Sequence, residues 1–493
     1  MGVSQVDRRP IRRSYTSWTS RLDKLRGAGD GAPMTGTDQR GGRGGRAERG
    51  GRAGPRGATA PGAGAPPDVE ALIVGGGLVG LSLAAALADA GLEVLVIDRA
   101  APAAQLDRGF DGRAAAIARG SQRALAGIGL WPDLADAAQP ILDIRVSDGR
   151  VGAAASRLHL HYDHREAGEG PLGFIIENRE IRRALEARRR ALAAKLSRRA
   201  PCRLVALERA AGRVVARIED ERGTEQVSAQ VAISAEGREA SLRSLAGIGV
   251  TRWDYGQSGI VCTVAHEEPH RGVAHEHFLP SGPFAMLPMT DGEDGTEGTG
   301  GTDGGRRVHR SSIVWTERRA LVATMMALDG PAFSAEIQRR FGDSLGALRA
   351  IGGRWAYPLS LIHAERYVAH RLALVGDAAH GIHPIAGQGL NLGLRDVAAL
   401  AETLVDARRL GLDLGAGDVL ARYERWRRFD NLMLIAATDA LNRLFSNDLG
   451  PLRLARDLGL AAVDRLPPLK KLFMRHAMGL VGDLPRLIQG QRL

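Results

Sequence analysis

From Asp68 onward the chain alternates between two hydrophobic rhythms. VEALIVGG (69–76) is a short aliphatic run ended by glycines, LVGLSLAAALADA (78–90) is an Ala/Leu run without a charge until Asp89, and LEVLVID (92–98) is aliphatic again. Brief apolar runs closed by turn residues predict buried strands, so this order predicts a strand–helix–strand unit with parallel strands. ENREIRRALEARRRALAAKLSRR (177–199) predicts an amphipathic helix. Between 201 and 233 the pattern switches to strands, and residues 255–328 also alternate like strands. TDGEDGTEGTGGTDGGRR (290–307) interrupts them and predicts a long hairpin connection. From 395 the rhythm is mainly helical. Such an order predicts one discontinuous, Rossmann-like α/β nucleotide domain with a β-sheet domain inserted in it and a helical C-terminal segment.

Charge changes this picture little once its distribution is counted. The chain carries +11, but residues 1–66 hold thirteen Lys and Arg against five Asp and Glu, a surplus of eight. The remaining 427 residues therefore carry only +3, and aromatics are 4% of the chain, which argues against a nucleic-acid groove. That basic Gly/Arg-rich tail has almost no periodic apolar positions and is expected to be disordered. An RNA-binding arm, a transit peptide and translation from an upstream start, with Met34 as the alternative, are competing readings of it. Cys202 and Cys262 match no zinc spacing and build no disulfide framework, so a reducing compartment is expected. The uncharged stretch 71–88 has about the minimum length of a membrane span, but its three consecutive glycines favour strand–turn–helix.

Two glycine-rich stretches carry candidate chemistry. Gly75, Gly77 and Gly80 have the G-x-G-x-x-G spacing between a predicted strand and helix, and Asp98 follows 23 residues after Gly75. A tight turn, a close approach of backbone to a pyrophosphate, and an acid for a ribose hydroxyl require that pattern. FAD and NAD both satisfy it. In LVGDAAHGIHPIAGQGLNLGLRD (374–396), Asp377, His380 and His383 stand at ligand-like spacing. Gly381 and Pro384 break any helix that could hold both imidazoles on one face, so a loop touching a flat cofactor through its backbone is preferred to a metal site.

These stretches, with DGRAAAIARGSQRALAGIGLW, LGFIIENREIRRAL, the run YGQSGIVCTVAHEEPHRGVAHEHFLPSGPFAMLP with SSIVW, and TDALNRLFS, resemble the ubiquinone-biosynthesis hydroxylases. These are class A FAD-dependent aromatic monooxygenases of the p-hydroxybenzoate hydroxylase fold. The resemblance covers about residues 69–480. It implies FAD as cofactor, NAD(P)H and O2 as co-substrates, and a polyprenylated phenol as substrate. It implies an FAD-binding domain at 67–140, 172–250 and 355–410, a substrate domain at 141–171 and 251–354, and a helical segment at 411–493. It places Arg113 at the cofactor pyrophosphate, Arg179 within a matched block, Gly376 and Asp377 at the ribityl–phosphate region, and Pro384 with Gly387, Gly389, Leu390 and Asn391 along the isoalloxazine. The family's A-D-G-x-x-S-x-x-R appears as AEGREASLR (235–243). Glu236 and Gly237 are thus further cofactor candidates, with Glu236 standing for Asp and Ala240 for Ser. The added methylene is expected to shift that loop by about a bond length, a displacement to which catalytic geometry is sensitive. No general base is nominated; His363, His380, His383 and Tyr357 are candidates for lining the cavity, the competing reading of each being a packed structural residue.

No second dinucleotide fingerprint follows, so NAD(P)H is expected to bind without a domain of its own. Residues 451–493 carry eight Lys/Arg against three Asp among Leu, Phe and Met. Arg453, Arg456, Lys470, Lys471 and Arg475 beside Leu472, Phe473 and Met474 would suit an anionic membrane surface, the competing reading being a helix packed on the body. The expectation is a cytoplasmic protein in peripheral contact with the inner face of the membrane and with other quinone-biosynthesis proteins. Hydroxylation of another aromatic, and a non-catalytic flavin-fold component of such a complex, are the alternative functions.

Overall fold

The computed structural model describes residues 66–107, 111–152, 159–168, 170–293, 307–445 and 463–493. The tail expected to be disordered and the tip of the hairpin at 294–306 lie outside them. The first sheet is built on β1 (Val69–Val74), β2 (Val94–Ile97), β8 (Leu196–Arg199), β11 (Gly223–Ser234) and β18 (Leu372–Leu374). They pair in parallel in the order β18-β11-β1-β2-β8. β9 (Arg203–Arg209) and β10 (Val214–Asp220) extend β11 antiparallel, and β17 (Val368–Ala369) caps the other edge. The central strands β1 and β2, with β18, read as aliphatic runs because both faces are covered there. Helix α1 (Leu78–Asp89) packs on α6 (Gln388–Arg409), where Leu400 and Leu404 are fully buried. Each such leucine contributes on the order of 2 kcal/mol.

The second sheet runs β19-β16-β12-β15-β14-β13-β5-β6. Its strands are β5 (Asp143–Asp148), β6 (His159–Asp163), β12 (Val250–His266), β13 (Val273–Leu279), β14 (Gly282–Glu293), β15 (Arg307–Arg318), β16 (Leu348–Ala364) and β19 (His380–Gly381). Trp315 and Phe284 form its core with Phe333 and Ile337 of a covering helix, α5 (Gly330–Phe341). A small third sheet, β3 (Ala114–Ala118), β7 (Gly173–Glu177) and β4 (Gln139–Ile141), leads into helix α2 (Asn178–Ala191).

Three boundaries differ from the sequence reading. The helix expected over 177–199 stops at Ala191, and Leu196–Arg199 is a strand because it completes the parallel edge beside β2. Residues 319–327 form a helix, α4 (Arg319–Ala327), not a strand; RALVATMMA is rich in the straight-chain residues and alanine that favour helix. Residues 355–364, expected in the cofactor-binding part, are the second half of β16 and pair with β12. The C-terminal region contains α7 (Gly417–Phe445), α8 (Pro467–Ala477) and α9 (Arg486–Gln489). Among the described residues no helix is long and apolar enough to cross a membrane; 71–88 is β1, a turn and α1.

Candidate active site

Three loops at the C-terminal ends of β1, β11 and β18 come together, the place where open α/β sheets bind ligands. The first is the glycine turn. Gly75 has φ +106°, and a Cβ on it would lie 2.4 Å from the Ala235 carbonyl oxygen, so only glycine lets the first and second loops touch. A Cβ on Gly80 would lie 1.9 Å from the Gly75 oxygen, which fixes the close approach of α1 to the turn. Gly77 has no neighbour within 4 Å on that side and faces open space. Gly77 is also the N-cap of α1 and supplies no side-chain cap, so the first-turn N–H groups point outward unclaimed by any side chain there. Asp98 lies beneath: its carboxylate accepts from the Gly76 and Ala100 N–H groups and from Gln105 Nε2. Three of its roughly four acceptor sites are thereby used, and one is left for a hydroxyl.

The second loop holds Glu236 and Gly237. Glu236 folds back onto α3 (Ser241–Leu245), accepting from the Ser241 N–H at 3.2 Å, the Leu242 N–H at 2.9 Å and the hydroxyls of Ser241 and Ser234. The acid is one methylene longer than in the family pattern, and the hydroxyl it meets stands one residue later, at Ser241 rather than at Ala240. The extra length is thus absorbed in a helix cap. Gly237 is left with open space on its Cβ side.

Arg238 joins the second loop to the third. It donates to Asp377 at 3.2 Å, to the backbone and hydroxyl oxygens of Ser360 at 2.8 and 2.9 Å, and to the Ile382 carbonyl at 3.2 Å. Asp377 stays 40% exposed on its other side. Gly376 sits on the Val79 side chain of α1, and its N–H donates to buried Asp396. Pro384 and Gly387 lead into α6, whose N-cap, Gly387, has φ +62° and offers no side-chain cap. Gly389 in that first turn has nothing within 4 Å on its Cβ side, and Leu390 beside it is half-buried. Asn391 is buried and structural, its amide bonded to the Ala116 carbonyl and the Ala118 N–H of β3.

Arg113 approaches the third loop from β3. It stacks over the Tyr357 ring at 4.8 Å and is gripped by Asp111, which also accepts from Asn178 and Arg182. Burial pushes the Asp111 carboxyl up, but Arg113, Arg182 and Asn178 outweigh it and hold it well below the ordinary range. Arg179, in the first turn of α2, has a buried Nε without a hydrogen-bond partner among the described residues.

The histidines go separate ways. His380 bonds Asp396, which also holds Arg427 and Asn431 in a buried network. His363 bonds the Ala364 carbonyl, while His383 packs edge-to-face on Tyr255 at 5.1 Å. Among the described residues no group of three His, Cys, Asp or Glu is placed to hold a metal ion.

These features fit an extended dinucleotide: two helix N-termini without side-chain caps, open glycines at both ends, and a partnerless Arg179 Nε. Asp111, Asn178, Arg182 and Arg238, not singled out from sequence, all stand inside the quoted motifs but at positions whose role appears only when distant partners are in place.

Comparison with known proteins agrees with this geometry. The FAD binding domain family matches residues 68–428. The chain is 52% identical over 437 residues to ubiquinone hydroxylase UbiL of Rhodospirillum rubrum, covering 88% of this chain and 96% of that protein. It is 36% identical to the 3-demethoxyubiquinol 3-hydroxylase of Escherichia coli, over 83% of this chain and 98% of that protein. Among solved structures, p-nitrophenol 4-monooxygenase PnpA from Pseudomonas putida superposes with a TM-score of 0.68 at 17% identity, covering 86% of this chain and 99% of that one. That last likeness concerns the fold.

Proposed function

The chain belongs to the FAD-binding ubiquinone-biosynthesis hydroxylases, and from that premise we propose that it hydroxylates the aromatic ring of a polyprenylated phenol on the way to ubiquinone. It is an FAD-dependent monooxygenase with NAD(P)H and O2 as co-substrates. When bound, the flavin supplies the redox chemistry, accepting electrons from the nicotinamide and delivering one oxygen atom to the ring. The protein's own residues grip, orient and exclude water. In this reading the Gly75–Gly80 turn and the α1 N-terminus hold the pyrophosphate with Arg113 and Arg179, and Asp98 takes a ribose hydroxyl. Glu236 and Gly237 shape the middle loop, Gly376 and Asp377 meet the ribityl chain, and Pro384 with the backbone of Gly387, Gly389, Leu390 and Asn391 lines the ring system.

The observation that carries the proposal is the convergence of the three loops through Gly75 on Ala235, Arg238 on Asp377 and Val79 on Gly376. A non-catalytic role found its motive in Glu236 and Ala240; the cap that Glu236 makes on α3 supports the catalytic reading instead.

Contact with a membrane is part of the same proposal, in narrower form than the sequence suggested. Lys470 is buried against Glu166 and Asp464, and Met474 is 1% exposed, so neither faces outward. Arg453 and Arg456 lie outside the described residues. Leu466, Leu472 and Phe473 are exposed beside Lys471 and Arg475, which suits a greasy substrate drawn from an anionic surface. Mass spectrometry of quinones after deletion of the gene tests the function. An accumulated prenylated phenol lacking one ring hydroxyl is the expected result; a normal quinone profile would overturn it.

A further inference from the structure

His383 is 1% exposed, and neither of its ring nitrogens has a hydrogen-bond partner among the described residues. Its neighbour in the motif, His380, is by contrast tied to Asp396. Burial, and then the nearby Arg238 charge, push the His383 imidazole down to about 4, so at neutral pH it is uncharged and offers one N–H donor and one lone pair. A buried donor and a buried acceptor left unmade are costly, and buried polar groups in folded proteins are normally satisfied, so this pair marks a place for a partner.

The side on which that partner sits follows from the packing. Tyr255 meets the imidazole edge-to-face at 85°, and its hydroxyl donates to Asp439 of α7 at 3.2 Å. Tyr255 stands in an irregularity of β12, where the pairing with β16 jumps from Asp254 opposite Ser360 to Ser258 opposite Pro358. Such breaks in a ladder re-aim side chains. Ile382, Leu392 and Ile435, with Leu361 against them, form an apolar cluster at the same loop. His383 therefore looks toward the second sheet and α7, whereas the N-termini of α1 and α6 serve the cofactor.

We propose that His383 hydrogen-bonds the ring hydroxyl of the phenolic substrate and, with Tyr255, sets which edge of the ring is presented to the flavin. The inference rests on the aromatic-hydroxylase reading above. His383 acts as a positioning residue. Because its affinity for a proton is far below that of a phenolate (ordinary phenol pKa about 10), the proton stays on the substrate oxygen and the bond polarises O–H toward the imidazole.

The test uses full-length, FAD-loaded protein titrated with 2-geranylphenol and with geranylbenzene, which lacks the hydroxyl, reading the shift of flavin absorbance. The wild-type protein is expected to bind the phenol more tightly than the hydrocarbon by roughly ten- to a hundredfold, the range of one buried hydrogen bond. His383→Leu should erase that preference while leaving geranylbenzene affinity and FAD content unchanged, and His383→Gln, which keeps a neutral donor and acceptor and little alters volume, should restore part of it. An undiminished preference in both variants overturns the inference alone. Loss of FAD from either variant with the preference intact assigns the imidazole to the cofactor and overturns it equally. Wild-type protein that shows no preference for the phenol overturns the substrate reading itself.

Discussion

Asp111 shows how one buried residue can hold several side chains of a site in place. It is 2% exposed and gathers Arg113, Asn178 and Arg182, so removing its charge takes from the buried Arg182 guanidinium the carboxylate that it meets at 2.6 Å. Asp111→Asn is expected to destabilise the protein by about 3 kcal/mol at pH 7, measurable by urea unfolding. The folded-state pKa is depressed, so this contribution is present above the ordinary carboxylate range near 4 and is lost as pH falls below it. The gap between wild type and variant should therefore narrow at pH 3; a constant gap would contradict the assignment. At this scale the close approaches at Gly75 and Gly80 were readable from sequence, since their spacing falls between a predicted strand and a predicted helix. Asp111 and Arg238 were not, because Asn178 stands 67 residues from Asp111 and Asp377 stands 139 residues from Arg238.

Among the elements, α3 is the one that a substitution in the motif put in question. Its start is held by Glu236, and the hydroxyl of Ser241 replaces the one absent at Ala240. Ser241→Ala should cost about 1 kcal/mol and leave the cap's backbone donors in place. Glu236→Asp, one methylene short of Ser241, should cost more. Thermal melts of the two proteins check the order, and equal effects would show that side-chain length is irrelevant there. The strand–helix–strand start and the β-rich middle were legible because hydrophobic period reports element type directly. Leu196–Arg199, expected as helix, and 355–364, expected in the cofactor-binding part, were misplaced for another reason: their pairing with β2 and β12 depends on partners remote in the sequence. The helix at 319–327 was missed because a short apolar run fits either period.

The sequence combines a nearly neutral body with a basic tail, and the candidate site is built from the loops that follow β1, β11 and β18. The C-terminal residues are not a detachable appendage: Leu487 and Ile488 of α9 are buried in the main core. The membrane proposal is therefore tested by surface changes and not by truncation. Leu472→Asp with Phe473→Asp should keep the melting temperature and lose co-sedimentation with vesicles containing phosphatidylglycerol; unaltered sedimentation would rule this surface out. The central claim, that one FAD is gripped from both ends, is tested most directly by measuring FAD affinity of Gly77→Ala and Gly389→Ala by flavin fluorescence. Outside its chain neighbours and its own helix turn, a methyl group at either position meets no atom of the described residues within 4 Å, so the unliganded proteins should differ in stability from the wild type by no more than the ~1 kcal/mol of a glycine-to-alanine exchange at a helix end. Each should nevertheless bind FAD at least tenfold more weakly, about 1.4 kcal/mol, and undiminished affinity in either variant would contradict the account.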